Sequence, residues 1–212
     1  NSLSANDCDF RDITIAGTAA GTAPTRAGDC GGNTGITFPA PKTVYWNLAG
    51  TQNWSATGWA TSSGGTPALA NFPLAQDTAV FDNTGSVGTV TTTAAWNIGS
   101  LNMSGRTTAC TIDWSNSSPN YHGNVILGSG VTPGTIGASN MVGRGTQTIT
   151  SSGNTWSGAI TVNCVTGTVQ LADALTMIAA RTLTLTSGTF DAVSYNVTAG
   201  LFTNSATTCL LY

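Results

Sequence analysis

Hydrophobic and polar residues alternate along short stretches of this chain, as in the segment Thr182-Leu183-Thr184-Leu185-Thr186. Successive side chains of a β-strand point to opposite faces, so the alternation predicts short strands with leucine on one face and threonine on the other. Gly, Ser and Asn lie between these stretches and favour turns. No helical period is visible. The pattern therefore predicts an all-β protein.

The C-terminal region, residues 87–212, repeats itself. A glycine, one further residue and an apolar residue recur at Gly134, Gly167 and Gly200, at intervals of 33 residues. The stretches that begin at Thr146 and Thr182 also match each other, 36 residues apart. A fixed period is typical of stacked coils, each of which buries its apolar faces against its neighbours. We expect tandem β-solenoid repeats of about 33–36 residues, with ladders of Thr on the outer faces.

Two other regions precede these repeats. In residues 1–40, similar stretches begin at Cys8 and Cys30, 22 residues apart, and predict two short N-terminal β coils. Residues 41–86 carry three closely spaced tryptophans and no helical period, so we expect an irregular Trp-rich β segment there. The predicted fold is a parallel β-helix or solenoid-like stack with this segment as an insertion.

The tryptophans of the inserted segment are Trp46, Trp54 and Trp59. Two interpretations are open. Their amphipathic rings could form a platform that contacts a sugar or another partner. Alternatively, they could form a cap or a satellite core where the fold changes from the N-terminal coils to the repeats. Trp96, Trp114 and Trp156 lie in the repeat region, and we expect them to point into the stack.

The composition narrows the function classes. The 212 residues include only six Lys and Arg and nine acidic residues, all Asp, with a net charge of −3. Six cations cannot make a basic stripe, so we expect no nucleic-acid partner. No apolar stretch approaches the roughly 20 residues that span a bilayer, so we expect no membrane insertion. No cofactor is expected either, because the one Gly-rich loop, near Cys30, lacks the Lys of a phosphate cradle.

The five cysteines are Cys8, Cys30, Cys110, Cys164 and Cys209, and none forms a C-x-x-C pair. That pattern argues against a zinc site. The spacing of Cys8 and Cys30 suits a disulfide or thiols stacked in successive coils, and the choice stays open. We expect the other three to be small buried hydrophobic residues.

Acidic residues cluster at Asp7, Asp9 and Asp12, with Arg11 among them. A strand would put Asp7 and Asp9 on one face. The cluster could be a surface ion-pair group, a Ca²⁺ site, which needs six to eight oxygens, or a glycosidase pair of carboxyl groups. The ion-pair interpretation is favoured. His122 is the only histidine, and without Glu or a second His we expect it to be structural.

Two segments resemble known repeat proteins. The first runs through Trp46, Asn53-Trp54, Trp59, Pro73 and Asp77 to Val80-Phe81, and it resembles repeats of bacterial autotransporter-like passenger proteins, which are adhesins. The second, RTLTLTSGTFDAVSYNVTAGLFTNSATT, resembles repeats of tailed-phage fibre and other virion-associated proteins. The resemblance implies a right-handed β-solenoid that is trimeric and forms part of a fibre or spike.

The expected function is a non-enzymatic structural or adhesion module of an extracellular fibre, with a phage tail fibre or other virion appendage as the first choice. The expected location is the virion or the extracellular space. The expected partners are further copies of the chain, in a homotrimer or a filament, and a cell-surface glycan. Two alternatives remain: a β-helix that binds or depolymerises polysaccharide, and a secreted bacterial adhesin passenger.

Overall fold

The chain forms a β-solenoid of about nine turns. The structure is a computed structural model that describes residues 3–85, 87–114, 117–133 and 138–205, and the backbone of 210 and 211. Strands make up 43% and helices 3% of it. The sequence-based prediction of an all-β solenoid is therefore confirmed.

Short strands account for nearly all of the regular structure. The N-terminal region contains β1 (Asp9–Phe10) and β2 (Gly28–Asp29). The Trp-rich segment contains β3 (Thr43–Trp46), β4 (Gly50–Asn53), β5 (Trp59–Ala60) and β6 (Thr78–Val80). Single 3₁₀ turns lie at Gly17–Ala19 and Leu69–Asn71.

The remaining strands are β7 (Val87–Thr91), β8 (Asn97–Ile98), β9 (Ser100–Asn102), β10 (Cys110–Asp113), β11 (Asn120–Tyr121), β12 (Val125–Ile126), β13 (Val131–Pro133) and β14 (Ser139–Met141). They continue with β15 (Thr146–Thr150), β16 (Thr155–Trp156), β17 (Ile160–Leu171), β18 (Leu175–Met177), β19 (Thr182–Asp191), β20 (Val197–Thr198), β21 (Leu201–Asn204) and β22 (Leu210–Leu211).

Strands of successive coils pair in parallel and form three faces. One face runs β3-β6-β9-β12-β15 to the second half of β17. A second face runs β8-β11-β14 to the first half of β17, then to β19 and β21. The third consists of β4-β7-β10-β13 and, further along, β16-β18-β20. Each coil thus contributes three short strands joined by Gly- and Asn-containing corners.

The coil length differs from the predicted repeat. Ala79 pairs with Leu101, Leu101 with Val125 and Val125 with Ile149, so successive coils are 22, 24 and 24 residues apart. The predicted repeat of 33–36 residues is wrong. It matched strands on different faces: Thr146 lies on the first face and Thr182 on the second. Strands on all faces show the same alternation of apolar and polar residues. Two strands about one and a half coils apart therefore had similar sequences, and this similarity looked like a repeat. Gly134, one of the three recurring glycines of the predicted repeat, lies outside the described residues.

The inward side chains stack into apolar columns. On the first face one column is almost completely inaccessible to solvent and consists of Val44, Ala79, Leu101, Val125, Ile149 and Leu171. The buried core cluster extends from Val44 to Phe190, so the Trp-rich segment shares the core of the later coils. No observation tests the proposed division at residues 40 and 86, which stays a prediction.

An antiparallel strand closes the N-terminal end of the first face. Trp46 of β3 pairs with Trp59 of β5, and this pairing ends the run of parallel strands. The Trp46 and Trp59 rings meet edge to face, with centroids 5.0 Å apart, and Trp54 meets Trp59 at 4.7 Å. Tightly packed indoles thus fill the interior where a further coil would otherwise stack.

The N-terminal region lies along the side of the solenoid. We call residues 6–34 the N-terminal arm. Its two coils pair in parallel, with Asp9 opposite Gly28. The backbone N–H of Asp29 donates to Gln76, and Arg144 forms an ion pair with Asp12. Because Gln76 and Arg144 belong to well-separated coils, the arm spans several turns of the stack.

Cys8 is exposed and Cys30 is buried, and they are not joined by a disulfide. Cys110 and Cys164 are buried, as predicted. Cys209 lies outside the described residues.

Candidate functional site

The structure places Trp46, Trp54 and Trp59 inside the core, each 1% exposed. Trp59 donates its indole N–H to the Trp54 carbonyl at 3.2 Å, and Trp46 stacks on Phe81. The core interpretation therefore describes them. A sugar ring cannot stack on these indoles in this conformation, because their faces are covered by one another and by Phe81. Trp114 and Trp156 are also buried, as predicted, whereas Trp96 is only partly buried.

The acidic cluster separates into three independent contacts. Asp7 accepts a hydrogen bond from Arg26 Nε at 2.6 Å, Asp9 accepts one from Asn97, and Asp12 pairs with Arg144. The contacts diverge because the backbone turns into the left-handed region at Asp7 and Asp12, with φ of 54° and 57°. The sequence analysis expected Asp7 and Asp9 on one face if the segment were a strand, but the strand is only Asp9–Phe10, so Asp7 precedes it.

Metal binding finds no support in this arrangement. Among the residues that the structure describes, no group of three His, Cys or Asp side chains could hold a metal ion. The hydrogen bond from Arg26 holds the pKa of Asp7 below its usual range. The ion-pair interpretation is therefore the one that the contacts of Asp7 and Asp12 fit.

A groove of about 260 Å³ lies between the N-terminal arm and the turn that precedes β6. We call it the arm groove. Its lining combines apolar and charged side chains: Asp7, Asp9, Arg26, Ser55, Leu69, Phe72, Pro73, Leu74, Trp96 and Asn97. Two of the predicted acidic residues therefore do line a concave site, together with a tryptophan that sequence reasoning had assigned to the core.

Phe72 and Trp96 form the aromatic part of the arm groove. Their ring centroids are 5.2 Å apart, and the planes are tilted by 57°. Both are partly buried and pack against the edge of the core. The indole Nε1 of Trp96 is buried and has no hydrogen-bond partner. Buried polar groups are nearly always hydrogen-bonded, and this indole N–H, which the surrounding atoms cover, is one of the exceptions.

An asparagine ladder anchors one wall of the arm groove. Asn140 donates to Asn120, and Asn120 donates to Asn97, each at 3.1 Å. Asn97 in turn donates to Asp9 Oδ2 at 2.8 Å. The three asparagines occupy paired positions of β8, β11 and β14. Because each amide is fixed by the next, the ladder holds the Asp9 carboxylate at a defined position in the groove.

A second cavity, of about 230 Å³, lies on the other side of the N-terminal arm. His122 and Arg144 line it from the solenoid, and Asp29 and Cys30 line it from the arm. His122 Nδ1 and Arg144 Nε are both buried there without a hydrogen-bond partner. We call this the histidine cleft.

The histidine cleft disfavours ionised forms of two groups that line it. Burial lowers the pKa of His122 to about 4, the Arg11 charge acts in the same direction, and the Cys30 backbone and Asp29 oppose it. Burial, together with the Asp9 charge, raises the pKa of the Cys30 thiol to about 12. At neutral pH the cleft thus holds an uncharged imidazole and an uncharged thiol.

The last described coil presents an apolar surface. Its exposed residues are Val193, Tyr195, Val197, Leu201 and Phe202, and a cavity of about 610 Å³ opens beside them. β20 and β21 are the last strands on their faces in the described structure. We call this surface the C-terminal end face.

Sequence reasoning missed Phe72 and the true position of Trp96. Neither residue belongs to a strand, so alternation could not assign an inward or outward direction to it. Only Pro73, which follows Phe72, marks a change of chain direction at that point.

Comparison with known proteins found no relative: no family model, no curated protein and no solved structure matches the chain. In the part of the chain that the structure describes, no helix is both long enough and apolar enough to cross a membrane.

Proposed function

We propose that the chain is a non-enzymatic structural and adhesion module of an extracellular fibre, with a phage tail fibre or another virion appendage as the first choice. The stack of parallel coils supports this proposal. In a solenoid each coil contacts only its neighbours, so the molecule is a rod whose length grows with the number of coils. Such a rod serves to span distance and to present surfaces.

The surface composition suits close packing between copies. The chain has six cationic and nine acidic residues among 212. Surfaces of soluble monomers usually carry far more charge, which keeps copies apart. Outward positions here hold Thr and Asn, which hydrogen-bond along the stack, as Thr203 does to Thr184 at 3.0 Å. Uncharged ladders of this kind allow face-to-face association without electrostatic repulsion.

The C-terminal end face is the observation that carries the proposal. Leu201 is 56% and Val193 57% exposed, although a monomer surface rarely groups several large apolar side chains. Parallel strand edges that end without a partner are templates for further pairing. The opposite end of the first face is closed by β5 and the tryptophan cluster. Further chain or a further copy at the C-terminal end face would continue both the strand pairing and the apolar column.

Light scattering at micromolar concentration tests the proposal. We expect a mass above the 21.4 kDa of one chain, as a homotrimer or a filament. Leu201→Lys should shift the population toward the single chain, because it places a charge on the end face. Ser62→Lys makes the same change of charge on an exposed residue outside the strands and should leave the mass unchanged. A wild-type particle of 21.4 kDa that persists on concentration would refute the assembly.

A polysaccharide-degrading enzyme is the second candidate. The carboxylates of Asp7 and Asp9 line one groove, and carboxyl pairs hydrolyse glycosidic bonds. Depletion of capsular polysaccharide by the wild-type chain, but not by Asp9→Ala, would favour this candidate. Equal lack of depletion by both proteins would favour the non-enzymatic module.

A further inference from the structure

We propose that the arm groove binds one neutral sugar ring of a larger glycan, with Trp96 and Phe72 as the stacking surface and Asp7, Asp9 and Asn97 as hydrogen-bonding partners. The inference deepens the proposed adhesion function and rests on it for the biological role, although the binding itself needs only one chain. The aromatic surface for the sugar is then Trp96, at the edge of the core, and not the buried Trp46, Trp54 and Trp59.

The shape of the arm groove fits the amphipathic faces of a sugar. A pyranose ring presents apolar C–H groups on its faces and hydroxyl groups around its rim. Phe72, Leu74 and Trp96 supply the apolar part of the groove lining. Aromatic faces carry partial negative charge, which favours contact with the C–H groups of a ring. A docked ring would also cover Leu69, which is 61% exposed.

The polar groups of the arm groove suit the hydroxyl groups. Asp7 and Asp9 are exposed carboxylates on its arm side, and ionised carboxylates accept hydrogen bonds strongly from hydroxyls. The ladder through Asn97 fixes Asp9 before any ligand arrives.

Charge predicts which sugars the groove accepts. Its lining contains two carboxylates and one guanidinium, and that guanidinium, of Arg26, is already bonded to Asp7 at 2.6 Å. The groove therefore offers excess negative charge and no uncommitted cation. Uronic and sialic acids carry a carboxylate that these groups would repel. Neutral hexoses and N-acetylhexosamines carry no such charge, so they are the class that the groove fits.

The volume predicts the size of the ligand and the strength of binding. Pockets that hold drug-sized ligands have volumes of roughly 300–1,000 Å³, and the arm groove has about 260 Å³. One ring therefore fits, with the rest of the glycan along the surface. A ligand of about twelve heavy atoms in such a site binds with a dissociation constant on the order of 1 mM. Several copies in a fibre would raise the apparent affinity through multivalency.

Nuclear magnetic resonance titration tests the inference on the whole chain. The probes are methyl glycosides of neutral hexoses, N-acetylglucosamine and glucuronic acid, each up to about 50 mM, well above the expected constant. The indole N–H signal of Trp96 is identified by its loss in Trp96→Leu. We expect at least one neutral sugar to shift this signal, and glucuronic acid to bind at least about tenfold more weakly, because the two carboxylates repel it.

Matched variants separate groove binding from a loss of folding. Trp96→Leu should weaken binding at least about tenfold by saturation-transfer difference, since it removes the aromatic stacking face. Tyr45→Leu makes a similar aromatic-to-leucine change at a partly exposed residue of β3 outside the groove lining and should bind as the wild type does. Ser55→Arg, at an exposed residue of the groove lining, should block the groove without disturbing the core.

Several results would overturn the inference. One is that no neutral sugar shifts the Trp96 signal. Another is that Trp96→Leu or Ser55→Arg binds the sugar as strongly as the wild type does. A third is that the folded protein binds glucuronic acid as strongly as a neutral sugar. Light scattering on the same sample keeps the two proposals apart. A monomer that binds neutral sugar contradicts the assembly but supports the groove, and an assembly that binds none contradicts the groove alone.

Discussion

Arg106 carries a buried positive charge, with 2% of its surface exposed. All five of its N–H donors bond to backbone carbonyl oxygens, those of Asp82, Gly85, Val87, Thr108 and Ala109. The guanidinium therefore joins the corner before β7 to the corner before β10, in neighbouring coils. A planar group with five donors suits this role, and a lysine with three donors does not.

Removal of this group should destabilise the fold strongly. Arg106→Met leaves five carbonyl groups without their donor, and we expect a loss of roughly 3–5 kcal/mol in the free energy of unfolding. Arg26→Met is the matched control, since its ion pair with Asp7 is on the surface, where solvent screening leaves it little effect on stability. Urea unfolding of both variants measures the difference. A similar small loss in both would contradict the assigned role of Arg106.

His122 links stability to pH. Its pKa is about 4 in the folded protein, chiefly because burial destabilises the imidazolium, against about 6.5 when unfolded. The unfolded state therefore binds more protons between these values, and this contribution to stability is lost as the pH falls from about 6.5 to about 4. The loss reaches a few kcal/mol at most, and below about pH 4 this group adds no further change.

The pH dependence can be isolated with His122→Gln. We expect wild-type stability to fall more than that of the variant between about pH 7 and about pH 4.5, by urea unfolding. The aspartates titrate in both proteins, so the difference between the two curves reports His122. Parallel curves over this interval would show that protonation of His122 is not coupled to folding.

Alternation within a single strand decides which side chains enter the core. In β19, Leu183 and Leu185 are 2% and 1% exposed, and Thr184 between them faces outward. Leu183 lies beside Ile160 and Leu185 beside Val162 in the neighbouring coil. The outward Thr184 accepts a hydrogen bond from Thr203. The sequence-based interpretation of this strand is confirmed.

Charge substitutions in β19 should follow that alternation. Leu183→Asp and Leu185→Asp should each destabilise by roughly 3 kcal/mol or more, since each buries a carboxylate without a partner. Thr184→Asp should cost about 1 kcal/mol, because the new carboxylate remains on the outer face. Thermal unfolding of the three variants compares them directly. Equal losses at all three positions would contradict the inward and outward assignment.

At the scale of the whole molecule, the rod combines one closed end with one apolar end. Antiparallel β5 and the packed tryptophans close the first face on the N-terminal side. The N-terminal arm runs along the side and contacts Gln76, Asn97 and Arg144. The arm groove and the C-terminal end face lie on different parts of the rod, so the proposed sugar binding and the proposed association would not compete for one surface.

Far-ultraviolet circular dichroism checks the overall architecture. The structure has 43% strand and 3% helix, so we expect a strand spectrum with almost no helical signal. Ordinary domains contain roughly a third helix. A measured helical fraction above about a quarter would contradict the solenoid.

The local pattern of the sequence determined the all-β class, the stacked coils and the direction of individual side chains such as Leu183 and Leu185. These properties depend on residues one or two positions apart, because strand alternation is a local rule. The burial of Trp114 and Trp156 was expected from their place in the repeat region, although Trp96, which shares that place, is only partly buried. The coil length did not follow from that rule. All three faces show the same alternation, so the sequences of strands on different faces resembled each other.

Only the tertiary structure decided which residues line a site. Asp9 meets Asn97, 88 residues away, and Asp12 meets Arg144, 132 residues away. The same long-range packing buried Trp46, Trp54 and Trp59 and left Trp96 partly open beside Phe72. Such contacts depend on how the arm lies against distant coils, and short-range alternation carries no information about that placement. The arm groove is therefore a product of the fold, whereas the strands that support it are a product of the local sequence.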